Sequence, residues 1–387
     1  MTAPMVIVVK VGTSSITDEL GTVSVPAIER LCRDVARLRT RGDRVVIVSS
    51  GAIAAGLPVL GMTAGPGSAG PGPGGAGPGP GGAGFRGVDL ATLQAVSAVG
   101  QSRLLRVYDD VLSDHGLVGG QVLLAPLDFV HRKQYLHARQ TLTRLLDLGV
   151  VPVVNENDAI ADDEIRFGDN DRLAGLVAHL VRADLLVLLT DAPGLLTADP
   201  RSSEQASLIE EIVEVDHSLE AVAGGAGTLR GSGGMASKLA AAKMAAWSGV
   251  RSVIASAGRP GVVVDAADDL PGVGTVVRPR ERRLPARKLW IAFAVGAGGT
   301  VVVDDGARTA LTERQTSLLP AGVVSVKGSF DVDDAVEIAG LDGRVFAKGL
   351  VRHPAGRIRV WAGQRSARLP PDVPHEVVHR VDLVVLP

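Results

Sequence analysis

Short apolar runs that stop abruptly at a polar residue recur through the first two-thirds of the chain, and they restrict the fold more than any other feature. Met5 to Val9 is rich in β-branched residues and is followed directly by Lys10, while Val45 to Val48 gives way to Ser49-Ser50-Gly51-Ala52. Val118 to Leu124, Val150 to Val154 and Leu185 to Leu189 repeat the pattern. Runs of this length, apolar at consecutive positions, read as strands buried on both faces. Helical signals fill the gaps. Ser24-Val25-Pro26 is a helix start with Leu31, Val35 and Leu38 at helical spacing, and further helices are expected from about Leu90, Arg132, Leu173 and Gly234. Strands alternating with helices mean βαβ units, so the expected fold is α/β: a mainly parallel open sheet sandwiched by helices.

A length of 387 residues is enough for a second core. From Thr300 to Val351 short strands are separated by turn signals such as Pro320-Ala321-Gly322 and Asp342-Gly343, with one helix near Asp304. This reads as a small, mainly β module. The expected division is residues 1–278 for the large domain, 279–295 for a linker, 296–376 for the β module and 377–387 for a C-terminal tail. The Arg278–Lys288 stretch holds six basic residues and two prolines; it reads as a solvated linker or as a phosphate- or RNA-binding patch. Thr63–Gly84 is almost wholly Gly, Pro and Ala. Such a segment buries too little apolar area to offset its ordering entropy, and a disordered surface insertion is expected.

Composition narrows the function classes. A net charge of −2 gives no global attraction to nucleic acid or to an anionic membrane. The single cysteine, Cys32, falls in a helical pattern and reads as a buried thiol in a reducing, cytoplasmic setting. Met1 to Val9 carries no basic n-region, so no leader is expected, and no run approaches membrane-spanning length.

In an open parallel sheet, ligands gather at the carboxyl ends of the strands. Sorted by that rule the polar residues converge: Lys10, Ser50, the Asn155-Glu156-Asn157-Asp158 run and Thr190-Asp191 each end a strand. Gly168-Asp169-Asn170-Asp171 crowds three compact polar side chains before an apolar helix. Gly231-Ser232-Gly233-Gly234-Met235-Ala236-Ser237-Lys238 is a glycine-rich turn feeding another helix, suited to close approach by a phosphate. There is no Walker A pattern, H-E-x-x-H or paired-cysteine zinc spacing. Two lysines with Asp169, Asp171 and Asp191 suit phosphoryl transfer to an anionic acceptor. A carboxylate about 4 Å from a γ-phosphate is repelled by roughly 4 kcal/mol per charge pair at an effective dielectric of 20, and cations must offset that.

These residues resemble those of the glutamate 5-kinases (gamma-glutamyl kinases), within the amino acid kinase superfamily, that carry a C-terminal PUA domain. The resemblance rests on VVKVGTSS at Val8–Ser15, VIVSSGAIAAG at Val46–Gly56, AVGQSRL at Ala98–Leu104, VPVVNENDAI at Val151–Ile160, EIRFGDND at Glu164–Asp171, LLTDAPGLLTADPR at Leu188–Arg201 and GSGGMASK at Gly231–Lys238. It covers nearly the whole chain apart from Thr63–Gly84 and the last few residues. It implies transfer of the ATP γ-phosphate to the γ-carboxylate of L-glutamate with Mg²⁺, the first step of proline synthesis. By position, Lys10 and Lys238 would neutralise the transferring group and Asp171 would hold them. Ser50, Asp158 and Asn170 would bind glutamate, with Asp158 facing its ammonium. Lys10, Thr190, Asp191 and the loop Ser232, Gly233, Gly234, Met235, Ala236, Ser237 and Lys238 would bind ATP. Asp169 would organise either the glutamate loop or the metal. The resemblance further implies proline as feedback inhibitor, a homo-oligomer (dimer or tetramer), functional coupling to glutamyl phosphate reductase, and no nucleic-acid or membrane partner. The competing classes are a superfamily kinase with another acceptor and an RNA-binding PUA protein.

Overall fold

The computed structural model describes residues 3–18, 22–62, 89–129, 132–160, 170–198, 206–215, 219, 222–223, 234–281, 283–365, 369–370 and 373–386. The chain divides into two compact units, Met1–Arg283 and Leu284–Pro387. The Thr63–Gly84 insertion lies outside the described residues.

The larger unit runs β1 (Val6–Val11), α1 (Thr13–Ile16), α2 (Val25–Thr40), β2 (Arg44–Ser49), α3 (Ala52–Gly56), α4 (Leu90–Asp114), β3 (Gly119–Leu124), α5 (Arg132–Asp147), β4 (Val151–Glu156), α6 (Asn170–Leu180), β5 (Leu185–Thr190), β6 (Glu211–Ile212), α7 (Met235–Trp247), β7 (Arg251–Ser256), α8 (Val262–Ala267) and β8 (Gly274–Val277). Its sheet has the order β3-β4-β2-β1-β5-β7-β8-β6, with every neighbouring pair parallel except β7 and β8. The strands expected from apolar runs form the central and left part of this sheet. The two units thus match the expected architecture of an open, mainly parallel sheet joined to a smaller β module.

Strand periodicity decides which face each side chain reaches. Ile7, Val9 and Val11 of β1 pack into one core with Ile28, Val35 and Leu38 of α2, Leu104 and Leu112 of α4, and Val262 and Val263 of α8. The alternate set, Val8 and Lys10, therefore faces the other layer, where α6 lies against β1. Lys10 is only 3% exposed, so it cannot be a surface lysine. β1 also marks the point where the strand order turns. The chain leaves it toward β2 on one side, and β5 is on its other side, the arrangement that opens a crevice at strand carboxyl ends.

Two glycine contacts hold the layers at their closest. A Cβ on Gly100 of α4 would lie 1.7 Å from the Ala52 carbonyl oxygen, and one on Gly56 of α3 would lie 2.1 Å from that of Val96. On the opposite face, a Cβ on Gly175 of α6 would come 2.8 Å from the Met244 sulfur of α7. The second contact draws together the two helices that carry the predicted residues Asn170 and Asp171 on α6 and Lys238 on α7.

The smaller unit has the strand order β10-β9-β11-β12-β13, from β9 (Gly299–Val303), β10 (Val323–Gly328), β11 (Ala335–Ala339), β12 (Val345–Val351) and β13 (Val378–Val385). Its core includes Val301, Leu311, Ile338, Phe346 and Ile358. Two boundaries differ from the expected ones. Residues 377–387 do not form a tail, because Val378–Val385 pairs antiparallel with β12 and buries Val378, Leu383 and Val384. Residues 284–295 are not a bare linker either: Leu289, Trp290 and Ile291 are buried, and their segment packs on β12 and β13. The basic stretch is largely engaged. Arg278 pairs with Glu211, Arg280 pairs with Glu214 and lies 4.4 Å from the Trp247 ring centroid, and Arg287 Nε is 2.6 Å from Asp382.

Gly100→Ala should destabilise the protein by about 3 kcal/mol, the upper range for overpacking a rigid contact. Equilibrium denaturation of purified variant and wild type reads this directly. An unchanged midpoint would mean that α3 and α4 can separate at no cost.

Candidate active site

Asp171 sits at the start of α6 with its side chain fully enclosed, and two ammonium groups converge on it from distant parts of the chain. Lys10 Nζ is 2.5 Å from Oδ1 and Lys238 Nζ is 3.3 Å from Oδ2. Ser237 Oγ lies 2.5 Å from Oδ2 as a donor and 2.8 Å from the Gly234 carbonyl. Burial alone would raise the Asp171 carboxyl. The charges of Lys10 and Lys238, with hydrogen bonds from Lys10 and Ser237, outweigh it and hold the group below the usual carboxylate range. Two ammonium groups held side by side on one buried carboxylate favour an incoming anion.

Local structure explains the meeting. Lys10 is the penultimate residue of β1 and lies on its α6 face. Lys238 lies one turn into α7, where its N–H bonds back to the Gly234 carbonyl at 3.4 Å, and the Gly175–Met244 contact sets how closely α6 and α7 approach. Met235 and Ala236 fill the first turn of α7.

A second group adjoins the first along α6. Asn170, 5% exposed, donates from Nδ2 to Ser50 Oγ at 3.1 Å. Its Oδ1 is buried and has no hydrogen-bond partner among the described residues, so it is an acceptor waiting for a donor. Ser50 directly follows β2, its N–H bonded to the Val11 carbonyl at 3.2 Å. Gly51 then turns the chain at a φ of +95° into α3. A side chain is disfavoured there twice over, since a Cβ would also meet Ile16 Cδ1 at 2.9 Å.

Asp158 forms a third group. It follows β4 and accepts a 2.5 Å hydrogen bond from Ser97 Oγ of α4. Burial raises its carboxyl, and the Ser97 bond offsets that only in part. Behind it lies an amide network: Gln101 Nε2 donates to the Glu156 carbonyl at 3.3 Å, and Gln101 Oε1 accepts from Asn155 Nδ2 at 3.3 Å. At the end of β5, Thr190 is buried and its hydroxyl donates to the exposed Asp191 at 3.0 Å. Neither Thr190 nor Asp158 bonds directly to the Asp171 group. The predicted residues Asp169, Ser232 and Gly233 lie outside the described residues.

Sequence reasoning missed Ser97 and Gln101. Both fall in the AVGQSRL neighbourhood, where the signal was their spacing around Gly100: four residues apart, they occupy one helix face.

Among the described residues, no group of three or more His, Cys, Asp or Glu side chains could hold a metal ion. No described helix is long and apolar enough to cross a membrane.

Comparison with known proteins identifies the family. The amino acid kinase family model matches residues 5–256, and the PUA domain model matches residues 299–370. The chain is 41% identical to a glutamate 5-kinase of Pelobacter propionicus over 98% of this chain and 97% of that protein. It is 43% identical to a glutamate 5-kinase of Methylibium petroleiphilum, over 98% and 97% respectively. The chain belongs to the glutamate 5-kinase family. A solved isopentenyl phosphate kinase aligns with 70% of this chain and 99% of its own, at 19% identity and a TM-score of 0.48. In this member of the glutamate 5-kinase family, the motifs that carried the resemblance are those that supply Lys10, Ser50, Asp158, Asn170, Asp171, Thr190 and Lys238.

The raised Asp158 carboxyl gives a signed prediction. A group whose folded pKa lies above its unfolded value costs stability as pH rises through that interval, from about 4 upward. Asp158→Asn removes the cost and keeps an acceptor for Ser97. The ligand-free variant should melt above wild type at pH 7.5, with the advantage shrinking toward pH 5. A variant that melts lower at pH 7.5 would show that the carboxylate already has a compensating partner.

Proposed function

We propose that this protein transfers the γ-phosphoryl group of ATP to the γ-carboxylate of L-glutamate, giving γ-glutamyl phosphate and ADP. The observation that carries this reading is the buried Lys10–Asp171–Lys238 arrangement at the carboxyl end of the sheet, with the unpaired Asn170 acceptor next to it and the half-compensated Asp158 carboxylate after β4.

A carboxylate oxygen of glutamate attacks the γ-phosphorus while the bond to the β-phosphate oxygen breaks and ADP leaves. The nucleophile is already an anion, so no proton has to move and no general base is required. What the step needs is alignment and cations. Lys10 and Lys238 supply the cations, on opposite oxygens of the carboxylate that aims them. Asp171 is the positioning anion. Ser50, Asn170 and Asp158 hold the glutamate. The Asn170 Oδ1 acceptor and the Asp158 carboxylate suit the α-ammonium, and the Ser50 hydroxyl, already accepting from Asn170, has its own proton for a carboxylate oxygen.

The nucleotide binds along Thr190, Asp191 and the 232–238 loop, with its phosphates toward the start of α7. Mg²⁺ would come with the triphosphate, where it would spread the charge of the phosphate oxygens, and Asp169 is the candidate to hold it.

The remaining assignments are part of the same reading. Residues up to Arg283 form the amino acid kinase domain and residues 284–386 the PUA domain. The protein is a cytoplasmic homo-oligomer. The acyl phosphate product is labile, which favours coupling to glutamyl phosphate reductase, and proline, the pathway's end, is the feedback inhibitor. An RNA-binding role is disfavoured because Arg278, Arg280 and Arg287 already carry acidic partners.

ADP release should depend on L-glutamate and Mg²⁺, and a hydroxamate should accumulate with hydroxylamine. Turnover with aspartate or UMP but not glutamate would overturn the acceptor. Lys10→Ala and Lys238→Ala should each lose on the order of 10²- to 10³-fold in kcat, with a much smaller change in glutamate KM. A near-normal kcat in either would remove that lysine from the chemistry.

A further inference from the structure

Behind the Ser50 turn lies a pair of buried hydroxyls that the reaction as described does not use. Tyr108 of α4 is completely buried, and its OH is 2.9 Å from Ser49 Oγ at the end of β2. Ser49 is likewise fully buried, and its Oγ donates to the Ser50 carbonyl at 2.9 Å. Burial pushes the Tyr108 phenol above its ordinary value, and the neighbouring Cys32 thiol is pushed up to about 12 for the same reason. Both are protonated and neutral in any ordinary buffer, so the pair is a constant hydrogen-bond device and not a titrating one.

Counting protons gives the pair a direction. A serine hydroxyl has one hydrogen. Ser49 spends its hydrogen on the Ser50 carbonyl, so Tyr108 must be the donor to Ser49. The chain therefore runs Tyr108 OH to Ser49 Oγ to Ser50 C=O. In a trans peptide the C=O and the following N–H point in opposite directions. Tying the Ser50 carbonyl back into the core thus aims the Gly51 N–H outward, toward the side where the Ser50 hydroxyl meets Asn170. The Gly51 N–H makes no hydrogen bond among the described residues, and Gly51 itself is buried at a φ of +95°. An unpaired buried N–H beside a paired hydroxyl is a donor set for an oxyanion.

We propose that Tyr108 and Ser49 are positioning residues: a two-hydroxyl relay from the core of α4 that fixes the Ser50–Gly51 peptide so that its donors meet the acceptor's carboxylate. The proposal rests on glutamate as the acceptor. Neither residue touches a ligand. The relay acts on the acceptor side alone, because the loop and strand end assigned to ATP lie at β5 and α7. An oxygen at position 49 and a phenol at position 108 are thereby tied to one another, and apolar substitutes of equal size would fill the space without setting the peptide.

The test is steady-state kinetics of Tyr108→Phe, Ser49→Ala, their double variant and Ser49→Thr, with each substrate varied in turn. Tyr108→Phe keeps the ring and its packing, so it guards against a variant that fails to fold. Loss of one buried hydrogen bond predicts a fall of about tenfold in kcat/KM for glutamate, with the KM for ATP unchanged. The double variant should be no worse than Ser49→Ala, since both interrupt one chain, and Ser49→Thr, which keeps the hydroxyl, should stay near wild type. A lowered melting temperature with unchanged glutamate constants would overturn the proposal, as would an equal effect on ATP or additive losses in the double variant. Absence of glutamate-dependent turnover in the wild type would instead refute the assigned acceptor, and so is distinguishable from failure of the relay.

Discussion

One carboxylate shared by two buried ammoniums is the constraint from which the rest of this molecule follows. Each ammonium would be too costly to bury alone, and removing one partner from such a set typically costs about 3–5 kcal/mol. Asp171 makes both tolerable. The lysines come from β1 and α7, more than two hundred residues apart in sequence, so the whole larger unit must be folded before the charges can meet. The site is thus a product of the global fold and not of any one loop.

The sheet and its helices are arranged to make that meeting close. Strand parity sends Lys10 to the α6 face, and the Gly175 contact lets α6 and α7 approach. On the acceptor side the paired glycines Gly56 and Gly100 press α3 onto α4, and α4 then supplies Ser97 to Asp158, Gln101 to the β4 end and Tyr108 to the Ser49–Ser50 corner. A single helix thereby references two separate strand ends, those of β4 and β2, to one rigid body. This is the kind of preorganisation that electrostatic catalysis requires, because dipoles fixed before the reaction need no rearrangement during it.

The sequence was most readable where burial is complete. Continuous apolar runs mark β1, β2, β4 and β5, and a polar residue ending such a run has few places to go except the strand's carboxyl end. Lys10, Ser50, Asp158 and Thr190 were legible for that reason, and Asn170 and Asp171 because three small polar groups before an apolar helix serve no packing purpose. The supporting residues were not. Ser97, Gln101 and Tyr108 lie on a helix, where a polar group every few positions looks like a solvated face; their partners at Asp158, β4 and Ser49 are brought near only by the tertiary structure. The strand Val378–Val385 looks like a tail in sequence because His379, Arg380 and Asp382 interrupt its apolar positions, as befits an edge strand with one wet face. The antiparallel β8 escaped notice because it is four residues long.

The central claim is that the amines of Lys10 and Lys238 act together on one transferring phosphoryl group. A crystal structure with ADP, Mg²⁺, L-glutamate and aluminium fluoride tests it most directly. The account predicts both Nζ atoms within about 3.2 Å of the fluoride ligands, with Asp171 still between them and the glutamate γ-carboxylate in line on the far side. A complex in which either lysine turns away from the planar fluoride, or in which the glutamate carboxylate lies off that line, would contradict it.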